Sequence, residues 1–133
     1  MKKEKSCGCV IYKYKNNKRI FLLIHQKHGD YLGFPKGHIE HNETEIQTAL
    51  REVKEETNLD VFIFDDVKTT NSYKINDVID KEVVYFLATP TTFKLEKQDK
   101  EIVKLIWVEE DKVIEHLTYQ NDKDVFIFDD VKT

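Results

Sequence analysis

The feature that most constrains the fold is the long helical pattern between residues 43 and 57, which lies among β-rich segments. Asn42 is expected to cap its start, with Glu45 three residues later as in a capping box. Asn58 fits the left-handed residue that ends many helices. The pattern predicts one amphipathic helix over about Glu43–Thr57. Its buried stripe comprises Ile46, Ala49, Leu50, Val53 and Thr57.

Runs rich in β-branched and aromatic residues occupy most of the remaining chain. "CGCVIYKYKNNKRIFLLIHQ" predicts a hairpin, because the asparagines of "KNNK" tolerate the positive φ of a tight turn. "HGDYLGFPKGHIE" holds three glycines and a proline, so it is expected to be a loop with at most short strands. Further strands are expected at "DVFIFDD", "TTNSYKIN", "EVVYFLAT" and "IVKLIWVE", and short helices at "EEDKVIEHL" and from near Asn121.

Length and charge limit the class of protein. The 133 residues suit a single domain spanning residues 1–133, expected to be a monomer. The net charge of −4 gives no general case for binding nucleic acid or an acidic membrane. No apolar run approaches the roughly 18 residues of a membrane helix. Cys7 and Cys9 are interpreted as buried thiols in a reducing cytosol, which predicts a cytoplasmic protein.

One decapeptide, "DVFIFDDVKT", occurs twice, at Asp60–Thr69 and at Asp124–Thr133. The first copy follows the helix cap and is expected to enter the sheet. The second follows "QND", where Asn121 or Asp122 is able to cap a helix. We therefore expect two conformations for one sequence, because tertiary context overrides the β preference of "VFIF".

Three carboxylates crowd one face of the predicted long helix, and we expect that face to be exposed. Glu52, Glu55 and Glu56 lie at i, i+3 and i+4, where like charges repel by about 0.2–0.5 kcal/mol per pair. Hard oxygen ligands on a rigid element suit Mg²⁺ or Mn²⁺, which also bind substrate phosphates. Taken alone, three glutamates at this spacing more often form a solvated acidic face than a metal site.

The surrounding residues favour the metal site. From Gly37 the chain reads glycine, five residues, Glu43, seven residues, "REVKEE" and then Leu59. This pattern over residues 37–59 resembles the Nudix box of nucleoside-diphosphate-linked hydrolases, with Asn58 where glycine is usual. The resemblance implies an α/β fold in which a mixed sheet lies between helices (α/β/α). It also implies divalent-metal-dependent hydrolysis of a nucleotide phosphoanhydride.

The resemblance also implies roles within the box. Glu52, Glu55 and Glu56 would hold Mg²⁺ or Mn²⁺, and any of them could take the proton of the attacking water. Arg51 and Glu43 complete the catalytic set, and orienting their neighbours is the favoured role for both. Gly37 would allow a backbone turn close to the metal.

Outside the box the chain is most similar to the asymmetrical dinucleoside tetraphosphate hydrolases, through "GFPKGHIE", "KEVVYFLAT" and the segment from "KEIVKLIWVEED" to "NDK". This implies cleavage of diadenosine tetraphosphate to ATP and AMP. Triphosphate pyrophosphatases, RNA 5′-pyrophosphohydrolases and non-catalytic nucleotide-binding modules are the alternatives. The similarity implies a further metal carboxylate at Glu101, polyphosphate contacts from Lys36, His38 and Lys81, and an adenine flanked by Tyr85 and Tyr119.

Overall fold

Seven strands form one mixed sheet in the computed structural model, which describes residues 2–97 and 100–127. The strands are β1 (Lys2–Lys15), β2 (Lys18–Gln26), β3 (Tyr31–Gly33), β4 (Lys36–His38), β5 (Val61–Ile75), β6 (Ile79–Pro90) and β7 (Ile102–Glu109). The main path runs β3-β2-β1-β6-β5, while β4 pairs with β1 and β7 with β2. β1 and β6 are parallel, and the other pairs are antiparallel. The predicted hairpin is β1–β2, with positive φ at Asn16 and Asn17.

The helices cover both faces of the sheet. They are α1 (Glu45–Thr57), α2 (Val113–His116) and α3 (Gln120–Phe126), with a 3₁₀ turn at Glu110–Lys112 before α2. Ala49 and Val53 of α1 pack on one face. Val113 of α2 and Val125 of α3 belong to the core on the other face. The expected α/β/α arrangement is confirmed. No helix in the described part of the chain is long and apolar enough to cross a membrane.

Alternation along β1 builds both cores at once. Successive strand residues point to opposite faces, so Cys7, Cys9 and Ile11 join the core beneath α1, while Val10 joins the other. Both thiols are free and buried. Burial raises the pKa of Cys7 to about 11 and that of Cys9 to about 12, so both stay protonated and pack as small apolar groups.

The start of α1 differs from the prediction. Thr44, not Asn42, caps the helix: its Oγ1 accepts from the Gln47 amide, and the Gln47 side chain accepts from the Thr44 amide. Asn42 instead has φ of 69°, a turn conformation that asparagine tolerates. Two capping boxes overlap in this sequence, and the turn at Asn42 selects the later one. The predicted end is confirmed, since Asn58 is left-handed with φ of 70°.

The expected strands "DVFIFDD" and "TTNSYKIN" are one element, because both lie in β5. The register with β6 shifts between Phe64 and Lys68, which leaves an irregularity where the two segments join. Such a bulge adds unpaired residues and bends the strand without ending it.

The repeated decapeptide takes two conformations as far as the structure describes it. The first copy lies in β5 from Val61 onward, and the second begins in α3 with Asp124–Phe126. In α3 the adjacent residues Val125 and Phe126 are both buried and belong to one core. The two-conformation prediction is confirmed for positions 124–126, and positions 128–133 lie outside the described residues.

Candidate active site

The Glu52 carboxylate, on the helix of the box, packs against the backbone of Gly37. Gly37 lies in β4, paired with Cys7 of β1, and α1 crosses directly above it. A Cβ atom at Gly37 would overlap the carboxyl carbon and both oxygens of Glu52. The absent side chain therefore creates the space that the Glu52 carboxylate occupies. The backbone turn expected at Gly37 is corrected to a strand position, because Gly37 pairs with Cys7 within the sheet.

Arg51 links the carboxylates of the box. Its Nε donates to Glu43 Oε2 at 2.6 Å, and its Nη2 donates to Glu43 Oε1 and to the His38 carbonyl, both at 3.0 Å. Nη1 donates to Glu52 Oε2 at 2.8 Å and to Glu55 Oε1 at 3.2 Å. The guanidinium thus joins the loop to the helix and offsets the repulsion between two acids.

Glu43 is held as a carboxylate by this network. The hydrogen bonds from Arg51 lower the pKa of Glu43 to about 2, with smaller contributions from the Thr48 hydroxyl and the Glu40 amide. Every one of these donors stabilises the charged form of the acid. Arg51 and Glu43 therefore form an anchor between loop and helix, and the orienting role favoured for them stays a prediction.

The three helix acids differ in exposure, which corrects the prediction of one shared exposed face. The side chain of Glu55 is 54% exposed and that of Glu52 is 14% exposed. Glu56 is only 6% exposed, and its Oε1 accepts from the Lys36 amide at 3.1 Å. Burial raises the pKa of Glu52, while Arg51 opposes that shift. Two of the three acids are therefore directed inward, toward β4.

The buried stripe of α1 needs a related correction. Ala49, Val53 and Thr57 are buried, but Leu50 is 39% exposed and Ile46 is only partly buried. The helix is rotated relative to the prediction, so that Glu56 takes a share of its inner face. Tertiary hydrogen bonding to Lys36 makes this rotation possible for a carboxylate.

Within residues 2–97 and 100–127, no three histidine, cysteine or acidic side chains are grouped as a metal ion requires. The cause is local, because Arg51 holds Glu52 and Glu55 while Glu56 turns to the Lys36 amide. The metal set of Glu52, Glu55 and Glu56 therefore stays a prediction about the loaded site.

A cavity of about 480 Å³ opens beside the box. Four tyrosines line it, together with polar and aliphatic side chains. The residues that line it are Tyr31, Lys36, Asn71, Tyr73, Ile75, Val83, Tyr85, Tyr119, Asn121, Asp122 and Val125. Burial raises the pKa of Tyr31 to about 12, with the charges of Glu56 and Asp122 adding to the effect. An aromatic cavity of this size suits a nucleobase.

The two tyrosines expected to flank an adenine have unequal positions. Tyr119 is 48% exposed, and its ring centroid lies 5.0 Å from that of Tyr31. Tyr85 is 2% exposed, edge-on to Phe34, and its hydroxyl donates to Asp122 Oδ1 at 3.2 Å. A ring this buried offers little face for stacking. Tyr85 therefore takes a place in the cavity wall, because the β6 alternation turns that ring into the core, and its contact with an adenine stays a prediction.

The three expected polyphosphate residues lie along β4 and β6. Lys36 lines the cavity, and its amide is the one bound by Glu56. Lys81 is 7% exposed and donates from Nζ to Ser6 Oγ at 2.7 Å, and burial lowers its pKa. Burial also lowers the pKa of His38, with the nearby charge of Lys81 adding to it. These side chains are near one another, and their contact with phosphate stays a prediction.

Glu101 lies in the turn immediately before β7. Its carbonyl accepts from the Lys27 amide at 2.7 Å, which ties the segment to the end of β2. Its role as a further metal ligand stays a prediction.

The family assignment follows from the whole chain. The model of the NUDIX domain matches residues 2–129. The chain belongs to the NUDIX family. The box geometry described above is therefore that of a NUDIX domain, with Asn58 replacing the usual glycine in the same left-handed conformation.

Curated relatives include two named bis(5′-nucleosyl)-tetraphosphatase (asymmetrical). The Caenorhabditis elegans protein is 36% identical over 88 residues, covering 63% of both chains. The Sus scrofa protein is 38% identical over 63 residues, covering 42% of this chain and 43% of its own. Nudix hydrolase 10 of Arabidopsis thaliana is 30% identical over 105 residues, which cover 73% of this chain and 37% of that one. The matches span about two fifths to two thirds of these relatives' lengths.

Solved structures share the NUDIX fold. A crystal structure of C. elegans Ap4A hydrolase in a binary complex superimposes with a TM-score of 0.83 at 29% identity, covering 92% of this chain and 91% of that one. The NUDIX domain of Shewanella oneidensis NrtR complexed with ADP ribose superimposes with a TM-score of 0.76 at 17% identity, covering 94% of this chain and 85% of that one. The second likeness concerns the fold alone.

Sequence reasoning missed several residues of the NUDIX site. Tyr31, Tyr73 and Asp122 line the cavity without having been singled out. Tyr31 stands in a glycine-rich loop, where an aromatic side chain is a usable signal of binding. Tyr73 and Asp122 give no such signal, because only the packing of α3 against β5 and β6 brings them together.

Proposed function

We propose that this NUDIX protein hydrolyses dinucleoside tetraphosphates asymmetrically, releasing ATP and AMP from diadenosine tetraphosphate. The observation that carries the proposal is the position of Lys36. Its amide is bound by Glu56 of the box, while its side chain lines the tyrosine cavity. The hydrolytic acids and the site suited to a nucleobase are thus joined through one residue. The similarity to the named tetraphosphatases supports the choice of substrate.

The chemistry of the donor set suits a divalent cation, although its three acids are not grouped around a metal position in the described residues. Glu52, Glu55 and Glu56 offer hard oxygen atoms on one rigid helix, and Gly37 leaves room for the Glu52 carboxylate. Glu52 and Glu55 both accept from Nη1 of Arg51 and Glu56 accepts from the Lys36 amide, so a bound cation would compete with these hydrogen bonds. When bound, Mg²⁺ or Mn²⁺ would neutralise phosphoryl oxygens and lower the pKa of the attacking water. Glu101 is proposed as an additional ligand.

The chain's own residues perform the other tasks. A nucleoside occupies the cavity against Tyr31 and Tyr119, whose faces stack on a base. The ammonium of Lys36, with Lys81 and His38 nearby, holds the phosphates and stabilises charge on their oxygens. One of the box carboxylates takes the proton of the water that attacks phosphorus. Arg51, fixed by Glu43, keeps these carboxylates in position.

The cellular setting is also proposed. The buried free thiols support a reducing compartment, so we place the protein in the cytoplasm, acting as a monomer on a soluble nucleotide.

The reaction products test the substrate assignment. Purified protein is incubated with Mg²⁺ and, separately, with diadenosine tetraphosphate, ATP and a 5′-triphosphorylated RNA, and the products are resolved by chromatography. We expect ATP plus AMP from the dinucleotide, and heavy-oxygen water locates the attacked phosphorus. Two ADP molecules, or preferred release of pyrophosphate from ATP or RNA, would overturn this assignment. Binding without hydrolysis would indicate a non-catalytic module.

A further inference from the structure

Asp122 is a buried acid in the cavity wall for which the proposed reaction has no use. It lies in the first turn of α3, is 7% exposed, and accepts the Tyr85 hydroxyl at Oδ1. Its other oxygen, Oδ2, lies 3.0 Å from the position that a Cβ of Gly33 would take. A carboxylate at this depth requires partners to offset the cost of desolvation.

One oxygen of this carboxylate is available to a ligand. The described side chains provide Asp122 with a single hydrogen bond, the one from Tyr85. In the described ranges, every fully buried side-chain oxygen or nitrogen has a hydrogen-bond partner. Oδ2 has no such partner, so it is not fully buried. Oδ2 is therefore open to the cavity that Asp122 lines, and it is an acceptor without a donor.

The charge of this group limits what binds beside it. An anionic oxygen repels phosphate and carbonyl oxygens, and it attracts N–H groups. Lys36 supplies the cation of the same cavity: its backbone amide binds Glu56 of the box, while burial raises the pKa of Asp122 and the charge of Lys36 opposes that shift. Because the Asp122 carboxylate repels phosphate, the part of the cavity next to Asp122 is left to the base. Tyr31 and Tyr73 line the same cavity and supply aromatic surface for it.

The geometry points to Asp122 as a specificity residue whose Oδ2 accepts an N–H of the bound nucleobase, so that the cavity selects bases with an exocyclic amino group. Adenine carries such a group at C6, and purine riboside has the same ring without it. Without that donor, Oδ2 would be desolvated at the edge of the base and unpaired. This inference rests on the proposed function only in assigning the cavity to the nucleoside part of the substrate.

Equilibrium binding of two monophosphates that differ only in that amino group tests the inference. AMP and purine riboside 5′-monophosphate are titrated into the protein by calorimetry. We expect AMP to bind about tenfold more tightly, because a hydrogen bond to a charged acceptor is lost with the analogue.

Two variants separate recognition from support of the fold. Tyr85→Phe removes the partner of Oδ1 but keeps the carboxylate, so the preference for AMP is expected to persist. The double variant Tyr85→Phe, Asp122→Leu removes the hydroxyl and the carboxylate together, so neither group is left buried without its hydrogen-bond partner. The preference for AMP is expected to vanish in this variant. Melting curves confirm that both variants fold.

The outcomes are distinct. Equal binding of both monophosphates by the wild-type protein, or a preference that persists in the double variant, overturns the role of Asp122. Failure to bind either monophosphate overturns it as well. Failure to release ATP and AMP from the dinucleotide, with the preference for AMP intact, overturns the proposed function and leaves this inference standing.

Discussion

Arg51 donates to both oxygens of Glu43, from Nε at 2.6 Å and from Nη2 at 3.0 Å, and reaches Glu52 with its remaining nitrogen. One planar group therefore fixes the loop, the helix and an acid of the site. Lysine has a single nitrogen and is unable to reproduce this arrangement.

We expect Arg51→Lys to lower kcat by about ten- to a hundredfold, because misplaced acids lose most of their effect. The matched control is Arg19→Lys. Arg19 makes a similar paired contact with Glu110, from Nε at 2.7 Å and Nη2 at 2.8 Å. Steady-state rates and melting temperatures are measured for both variants. Equal effects on rate would show that the Arg51 contact supports only stability.

Replacing the acids themselves is expected to abolish catalysis without unfolding the protein. Glu52→Gln and Glu56→Gln should each reduce turnover at least about a hundredfold, since each removes charge that would hold a metal. Glu115, an exposed acid of α2, provides a control as Glu115→Gln. Turnover is followed with the dinucleotide and Mg²⁺. Near-native rates with normal melting curves would refute a role for these acids.

The contact between Gly37 and Glu52 predicts a pair effect on stability. Gly37→Ala is expected to lower the melting temperature, because the new Cβ overlaps the Glu52 carboxyl group. Adding Glu52→Ala should restore part of the loss, since it removes the overlapping atoms. Thermal unfolding of both single variants and the double variant measures the coupling. If the losses of melting temperature in the two single variants simply added in the double variant, the Glu52 side chain would not be the group with which the new Cβ clashes.

The observed helix cap predicts different effects at two neighbouring positions. Thr44→Ala should destabilise the protein by about 1 kcal/mol, because Thr44 Oγ1 caps α1. Asn42→Gly should change stability by no more than about 0.5 kcal/mol, since Asn42 already has a positive φ and its side chain does not cap the helix. Urea unfolding measures both. If Asn42→Gly destabilised the protein more than Thr44→Ala, Asn42 and not Thr44 would be the cap of α1.

The buried tyrosines predict loss of stability in alkali. Burial raises the pKa of Tyr85 well above its usual value and that of Tyr31 to about 12. A pKa that is higher in the folded state means that the unfolded chain loses its proton first. The contribution of these tyrosines to stability is therefore fully present below about pH 10, the tyrosine pKa in the unfolded chain. It falls as pH rises toward the higher pKa values of the folded protein. Urea unfolding between pH 8 and 12 is expected to show a shallower decline for Tyr85→Phe than for the wild-type protein. Identical slopes would contradict it.

Much of the fold could be predicted from short-range patterns. The hairpin turn at Asn16 and Asn17, the helix end at Asn58 and the edges of most strands depend on local backbone preferences. The box was recognisable because its acids, arginine and glycine occur at fixed spacing along one loop and one helix. Patterns of this kind lie within the chain itself and need no knowledge of packing.

The sequence by itself determined the α/β class, the long helix and the residues of the NUDIX box. Only the tertiary structure decided which acids are directed inward, which residue caps α1 and which tyrosines offer a face to a ligand. Glu56 turns inward because the Lys36 amide binds it, and Tyr85 is enclosed because Asp122 of α3 packs over its hydroxyl. These contacts join residues 20 and 37 positions apart, and no local preference specifies them.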